Sequence, residues 1–464
     1  MMTRVATAGS APLAFSAGDR VMVLAPHPDD ESLGCGGVLH DAVRAGLPVR
    51  VVFLTNGDAN ELSFLVWERH PVVTSSGAIA MGRTRGQEAL HAARALGLPA
   101  DAVTFLGYPD AGTMAMWTGY WGAHAPYRSL ITRVTAVPYE TALRPGAPYK
   151  PEEVMRDLQT VLREFRPTKI FVSHPADAHP DHRAWYLYAT ATVWETPDLP
   201  APEIHPFLIH HKHWPVPAAD PPATPLIPPP LLGYEIAWQR RPLDAVDQKA
   251  KREALDAHAT QMAYSRDFML GFVRANELFG DFVAAPLKHA GDSDDLKAGA
   301  VAAGPDPRAQ VAPQVREAFV GVEWQRVARS GDALTFTAEL SRRLLPGTHV
   351  TFHLFGARPE RPFATMPKIR VTVSAFGHDV YDRDTPLPKE KVDVTRSGRL
   401  IAVRVPLSLL GSPRRLFAGA ETVVADLLMH PAAWRIVDLG PWSKSLTAQP
   451  HSGTQLPSIS GREP

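Results

Sequence analysis

The sequence predicts a two-part architecture: an α/β unit with a mostly parallel sheet covered by helices on both faces, then a C-terminal β-sandwich. Three observations carry this expectation. In the first half, short apolar runs alternate with segments of helical spacing, the rhythm of βαβ units. From Gly291 to Pro313 the composition shifts to Ala, Gly, Asp and Pro without periodicity, as in a linker. Beyond it, several short segments alternate apolar and polar residues, as strands with one buried face do.

The first strand is Arg20-Val21-Met22-Val23-Leu24-Ala25, apolar enough to be buried on both faces. It ends in Pro26-His27-Pro28-Asp29-Asp30, and a helix pattern runs from about Ser32 to Ala45. Val51 to Leu54 is a second buried strand, Arg83 to Leu96 a helix, and Val103 to Leu106 a third strand. From Glu152, the apolar residues Val154, Leu158, Val161, Leu162 and Phe165 recur at helical spacing. Ile170-Phe171-Val172 is the fourth strand, ending at Ser173-His174-Pro175. Two segments interrupt the rhythm. Gly112 to Lys150 is long for a loop and rich in aromatic residues, which suggests function. Pro215 to Pro230 contains eight prolines and reads as an extended connector. Helical patterns return from about Asp244 to Leu278. In the last third, Leu334, Phe336, Ala338 and Leu340 form one alternating set; Val350, Phe352 and Leu354, then Ile369, Val371 and Val373, then Ile401, Val403 and Val405, form the others. The expected division is an α/β domain over 1–290, a linker over 291–316, a sandwich over 317–448 and a flexible tail over 449–464.

Length agrees with more than one domain, since 464 residues hold two or three units of about 150 each. Hydrophobic residues make up 45% and charged residues 21%, which is ordinary for a globular chain and argues against global disorder. Forty-eight basic side chains balance 48 acidic ones, so the chain lacks the basic excess of a general nucleic-acid binder. The single cysteine, Cys35, excludes an intrachain disulfide and a cysteine-built zinc cluster. Any metal site must draw on His, Asp or Glu. No apolar run reaches the about 18 residues of a spanning helix, and no leader pattern is visible, so the default expectation is a cytoplasmic protein.

The chemistry concentrates at two strand ends. His27-Pro28-Asp29-Asp30-Glu31 follows the first strand directly. In open parallel sheets, ligands bind beyond the carboxyl ends of the strands. Proline fixes its own φ and biases its predecessor to an extended conformation, so His27 is held at the strand tip. His27 and Asp30 are two good zinc ligands within one turn. A second cluster, His174-Pro175-Ala176-Asp177-Ala178-His179-Pro180-Asp181-His182, lies just beyond the fourth strand. One more ligand from it completes a His/Asp/His set with an open position, the usual catalytic zinc arrangement. Such a metal lowers the pKa of its water and polarises a carbonyl. Asp29 is then free for general-base work and His179 for protonation or oxyanion stabilisation. Either cluster alone reads equally well as a turn with a helix cap. Two of them at strand ends of one sheet favour the metal site. The ligand set also suits Fe(II).

These residues carry a resemblance. Ala25-Pro26-His27-Pro28-Asp29-Asp30-Glu31, with Leu33-Gly34-Cys35-Gly36-Gly37 behind it, resembles the signature of the LmbE-like (PIG-L-type) zinc N-deacetylases. His179-Pro180-Asp181-His182-Arg183 resembles their second signature. Arg85 and Glu88 before Leu96-Gly97, Leu106-Gly107-Tyr108-Pro109-Asp110, and the late stretch Lys251 to Gln261 followed by Asn276-Glu277-Leu278-Phe279 fit the same pattern, so the resemblance spans roughly residues 20 to 285. It implies a Rossmann-like fold and hydrolysis of an acetamide, usually on an N-acetylglucosamine-containing substrate. It further implies that His27, Asp30 and His182 bind zinc, that Asp29 is the base, and that His179 assists electrostatically or as an acid. Asp181 would orient an imidazole, and Arg85 and Asp110 would contact sugar hydroxyls. There are departures. Some relatives carry a tyrosine two residues before the first His of the second motif, where this chain has Asp177. The 112–150 segment is longer than in compact members, and the sandwich is outside the core family.

Other features have simpler accounts. The glycine run after the first strand does not fit a dinucleotide loop, and close helix–sheet packing explains it. Cys35 reads as a small buried residue. His205, His210, His211 and His213 sit in a strand-like segment whose neighbours face opposite sides, so they read as one strand rather than a second metal site, with room for one of them to line the pocket. Trp117 and Trp121 suit either a sugar-stacking lid or local packing. Trp324, Phe355, Tyr381 and Trp434 suit either a sugar platform or, more simply, the sandwich core. The expected partner is a small-molecule or glycan substrate, with no nucleic acid and no membrane span. The rival expectations are an amidase acting on a sugar–thiol conjugate and a catalytically idle carbohydrate binder.

Overall fold

The structure is a computed structural model. It describes residues 12–60, 66, 73–216, 222–230, 232, 236–282, 284–285, 287–289, 301–302, 313–424 and 427–440. The expected linker over 291–316 and the expected tail over 449–464 fall almost entirely outside these residues, as does part of the proline-rich connector.

The N-terminal unit runs β1 (Val21–Ala25), α1 (Asp30–Arg44), β2 (Val49–Thr55), α2 (Ser75–Ala95), β3 (Val103–Tyr108), α3 (Thr113–Gly119), α4 (Pro151–Phe165), β4 (Lys169–Ser173), α5 (Pro180–Trp194) and β5 (Glu203–Phe207). These five strands form one sheet in the order β3-β2-β1-β4-β5, with every pairing parallel. The Rossmann-like architecture follows from composition: β1 and β4 are buried along their whole length, so both faces need helical cover. The order reverses between β1 and β4, and in such sheets that reversal opens a crevice at the carboxyl ends. Both His-Pro-Asp motifs lie there.

Next come β6 (Gln239–Pro242), α6 (Ala245–Ala257), α7 (Ala259–Leu270) and β7 (Asn276–Phe279). A capping box on Asp244 and Asp247 starts α6. The helical expectation for the segment ending at Leu278 fails at its end, because Asn276–Phe279 pairs antiparallel with β6. Its burial on both sides disguises the strand period. Helix α2 likewise starts earlier than the expected Arg83, at Ser75, where the Thr74 hydroxyl caps the amide of Gly77.

The glycine run fits close packing. A Cβ on Gly34 would collide with the Phe207 ring and one on Gly37 with Leu243. Gly34→Ala is therefore expected to cost about 1–3 kcal/mol by overpacking. Chemical denaturation of the variant checks this; unchanged stability would mean that α1 can shift away from β5.

The C-terminal unit is a sandwich of two largely antiparallel sheets. Its strands are β8 (Lys288–His289), β9 (Val301–Ala302), β10 (Val322–Ser330), β11 (Ala333–Leu340), β12 (Thr348–Ala357), β13 (Lys368–Ser374), β14 (His378–Asp382), β15 (Thr385–Leu387), β16 (Asp393–Ser397), β17 (Leu400–Pro406), β18 (Arg415–Val424), β19 (Leu427–His430) and β20 (Arg435–Asp438). The order β16-β17-β11-β10-β8 builds one sheet and β15-β14-β13-β12-β18-β19 the other. The alternating sets point into the core between them: Leu334, Phe336, Ala338, Val350, Leu354, Ile369, Val371, Ile401 and Val403 all belong to it.

Strand β12 is buried on both faces apart from His349, because the outer face of its sheet packs on the α/β unit. Phe355, Ala357, Phe363, Phe417 and Trp434 join the same cluster as Trp117, Trp121, Tyr188 and Trp194. The Trp117 ring lies 5.4 Å from Phe363 and 5.6 Å from Phe417, and Trp194 stacks on Phe417 at 4.5 Å. Trp117 and Trp121 are thus interior anchors of the long 112–150 segment, not a lid, and Phe355 and Trp434 are interior as well. No helix among the described residues is long and apolar enough to cross a membrane.

Candidate metal centre and active site

His27, at the tip of β1, is held by the turn that follows it. Its backbone amide donates to Asp30 Oδ2 at 2.9 Å. Its ring places Nδ1 3.1 Å from that same oxygen. The His182 ring, one residue beyond Pro180-Asp181 in the first turn of α5, brings Nε2 to 3.1 Å from Asp30 Oδ2. One carboxylate oxygen therefore joins the two imidazoles that the two motifs supply.

Each imidazole is backed on its other nitrogen by buried carboxylates. His27 Nε2 lies 3.1 Å from Asp110 Oδ1 and 3.2 Å from Asp181 Oδ2. His182 Nδ1 lies 3.1 Å from Asp177 Oδ2. The carboxylates are fixed in turn. Asp181 accepts from the amides of Ala111 at 2.6 Å and Thr113 at 3.1 Å. Asp177 accepts from the amides of His179, Ile209 and His210. Asp110 accepts from the Ala59 amide at 2.8 Å. Carboxylate-backed imidazoles are the usual surroundings of a bound metal.

Electrostatics agree. Burial works against charge on His182, but Asp177 and Asp30 overcome it and lift the imidazole to about 9. Burial likewise opposes charge on His27, and Asp110, Asp181 and Asp30 hold it well above its ordinary value. Asp30 and Asp177 are held well below the carboxylate range despite burial, because His182 lies against both. The pocket is thus arranged for positive charge on the imidazole side. Both His182 nitrogens are buried and, although 3.1 Å from carboxylates, lack an aligned hydrogen bond among the described residues. Nε2, the nitrogen that faces Asp30, suits a cation shared with that carboxylate. Close groupings able to hold an ion are His27/His179/His182, His27/Asp110/His179/Asp181 and Asp30/His182/His210.

Asp29 has φ 125°, well outside the ordinary allowed regions for a non-glycine residue. Its carbonyl accepts the first amides of α1 from Ser32 and Leu33, yet its side chain makes no cap bond. The carboxylate points instead into a cleft of about 570 Å³. Burial pushes it up to about 7, against the pull of Arg85. Arg85 donates to the carbonyls of Gly57 and Pro28 at 2.8 and 2.7 Å and stands 3.3 Å from Asp29 Oδ2. His179 caps α5, its Nδ1 accepting from the Asp181 amide at 3.3 Å, and burial lowers it to about 3.

The structure therefore brings His27, Asp29, Asp30, Arg85, Asp110, His179, Asp181 and His182 together around one cleft, all but the last two lining it. Other residues join them. Asp177, noted only as a departure, backs His182. Of the four histidines expected in one strand, His210 lies beyond β5 and is the one that lines the cleft, with its ring 4.8 Å from that of His182. Helix α7 forms the opposite wall through Gln261, Tyr264, Ser265, Phe268 and Met269. Gln261 lay inside a late stretch with a recognisable pattern; the others had no signal.

Comparison with known proteins points the same way. Residues 22–193 match the family model described as PIG-L, GlcNAc-PI de-N-acetylase. The 1D-myo-inositol 2-acetamido-2-deoxy-alpha-D-glucopyranoside deacetylase of Mycobacterium sp. (strain KMS) is 32% identical over 184 residues, which are 38% of this chain and 52% of that protein. Its counterpart in Mycobacteroides abscessus is 28% identical over 272 residues, covering 53% of this chain and 83% of that one. The chain spans about half the length of the first of these relatives. Among solved structures, N,N'-diacetylchitobiose deacetylase from Pyrococcus horikoshii is similar at 19% identity and a TM-score of 0.36, covering 56% of this chain and 82% of its own.

Proposed function

Residues 22–193 match the PIG-L family model, and from that premise we propose that the chain is a metal-dependent hydrolase that removes the acetyl group from an N-acetylated sugar. The observation that carries the proposal is the arrangement at Asp30. Its Oδ2 stands 3.1 Å from one nitrogen of His27 and one of His182, each ring being backed by other carboxylates. In this reading His27, Asp30 and His182 hold zinc, with Fe(II) a second fit for the same ligands. When bound, such an ion polarises the amide carbonyl and lowers the pKa of water.

The rest is done by the chain. Asp29, turned into the cleft and pushed up to about 7 by burial, has the affinity a base needs near neutrality. It takes a proton from the attacking water, and the departing amine needs that same proton. His179 accepts a hydrogen bond at Nδ1, so its neutral ring carries the proton on Nε2. It serves as a neutral donor toward the carbonyl oxygen rather than as an imidazolium acid. Asp181 orients the His27 ring. Arg85 and Asp110 line the cleft where sugar hydroxyls would lie, and Arg85 also grips the Asp29 turn. The mycobacterial relatives, deacetylases of a 2-acetamido-2-deoxy-glucopyranoside, support the choice of sugar.

The test is acetate release from a panel of N-acetylated sugars, before and after chelation and after zinc is restored. Release that disappears on chelation and returns with zinc is expected. Release that survives complete chelation would contradict the metal's part, and a metal-loaded protein without release would favour another amide or an idle sugar-binding cleft.

A further inference from the structure

Asp29 is the most strained residue of the site, and the structure shows what holds it. Its amide donates to Glu31 Oε2 at 2.9 Å. The other oxygen of Glu31 accepts from Ser32 Oγ at 2.6 Å and meets His258 Nε2 at 2.9 Å. His258 is fully buried at the junction of α6 and α7, more than two hundred residues from Asp29 in sequence. The preceding carbonyl, Pro28 O, is gripped by Arg85 from the opposite side.

We infer that His258 is a positioning residue: through Glu31 it fixes the backbone of Asp29 at positive φ and so aims the Asp29 carboxylate into the cleft. Three features carry this. A non-glycine residue at φ 125° reverts to an ordinary conformation unless its surroundings over-determine it. The Glu31 carboxylate is the acceptor that the Asp29 amide uses, and two further donors orient it. His258 also begins the turn into α7, the helix whose Gln261, Tyr264 and Phe268 line the cleft, so one residue ties the base to the far wall. His258 Nδ1 makes no hydrogen bond among the described residues, so the ring's side-chain hydrogen bonding there is the contact to Glu31.

The inference rests on the deacetylase reading for its kinetic consequence, but its geometric consequence stands apart. His258→Phe keeps the ring and removes the donor; His258→Gln restores a donor of similar reach. The full chain with one zinc bound is expected to lose about 10- to 100-fold in kcat as H258F. KM should stay within about twofold and metal content should not change. H258Q should recover most of the loss. A merely structural role would lower the melting temperature while leaving kcat per folded, metal-loaded chain unchanged, and that result overturns the inference. If H258F does not fold, His258→Asn, too short to reach Glu31, carries the same expectation. A crystal structure of the variant supplies the second readout: Asp29 should leave positive φ. If wild-type protein releases no acetate, the deacetylase reading fails, and this readout still decides the positioning. Asp29 unmoved in a variant without the donor contradicts the inference.

Discussion

Replacing Asp29 with Asn is expected to lower kcat by about 10²- to 10⁴-fold, the usual contribution of a positioned general base, with metal content unchanged. Asn is the informative choice. It tolerates positive φ better than most residues, and its amide can still lie beside Arg85, which stands 3.3 Å from Asp29 Oδ2. The turn therefore survives while the proton acceptor is lost. Asp29 is adjacent to Asp30 but contributes no atom to the closely grouped candidate ligands, so the metal should stay. The comparison is kcat per metal-loaded chain against the wild type, with metal counted by elemental analysis. Near-normal turnover in D29N would remove Asp29 from the chemistry. Loss of metal would make it a ligand instead.

The second large effect concerns stability. Lys251 and Glu277 form a buried ion pair at 2.7 Å, exposed by 1% and 2%. The pair is inserted into α1 directly behind the metal motif. Lys251 Nζ donates to the carbonyl of Leu33 at 2.8 Å, and Glu277 accepts from the amides of Gly37 and Val38 at 2.8 and 2.9 Å. These side chains thus satisfy backbone groups in the middle of a helix, where the Gly34-Cys35-Gly36-Gly37 run admits close neighbours. Glu277→Ala should cost about 3–5 kcal/mol, because it strands a buried ammonium and leaves two amides without their acceptor. Lys251→Met in the same chain should then cost much less than it does alone, since the uncompensated charge is gone. Urea unfolding of the two single variants and the double variant measures this. Strict additivity would mean that the two residues act independently.

The parts of this molecule that were legible in the sequence are those written in short contiguous stretches. The apolar strands β1 and β4 announce a parallel sheet, and each ends in its own His-Pro-Asp unit. Once both units are placed at carboxyl ends of one sheet, a shared site follows, and β1 and β4 do pair directly. What was not legible depends on chain segments meeting from afar. Asp177 matters because its carboxylate lies under His182 and takes the amides of Ile209 and His210, a contact no local pattern encodes. His210 enters the cleft because the chain beyond β5 is bonded to the loop before α5, its amide donating to Asp177 and its carbonyl accepting from Ala178. Strand β7 hid inside a helical pattern because it is buried on both sides. The alternation that identified the sandwich also understated it: one sheet spends its outer face on Trp117 and Trp194, so residues expected to face solvent are interior. The contact of His258 with Glu31 spans the unit; both residues lie in stretches with a recognisable pattern, but nothing in that pattern pairs them.

The most direct test of the account is an anomalous-difference map from zinc-soaked crystals, with data collected on both sides of the zinc absorption edge. One strong peak is expected about 2.0–2.2 Å from a nitrogen of His27, an oxygen of Asp30 and a nitrogen of His182, with Asp29 beside it but unbound. A peak held by His27, His179 and His182 without Asp30, or no peak in this cleft at all, would contradict it.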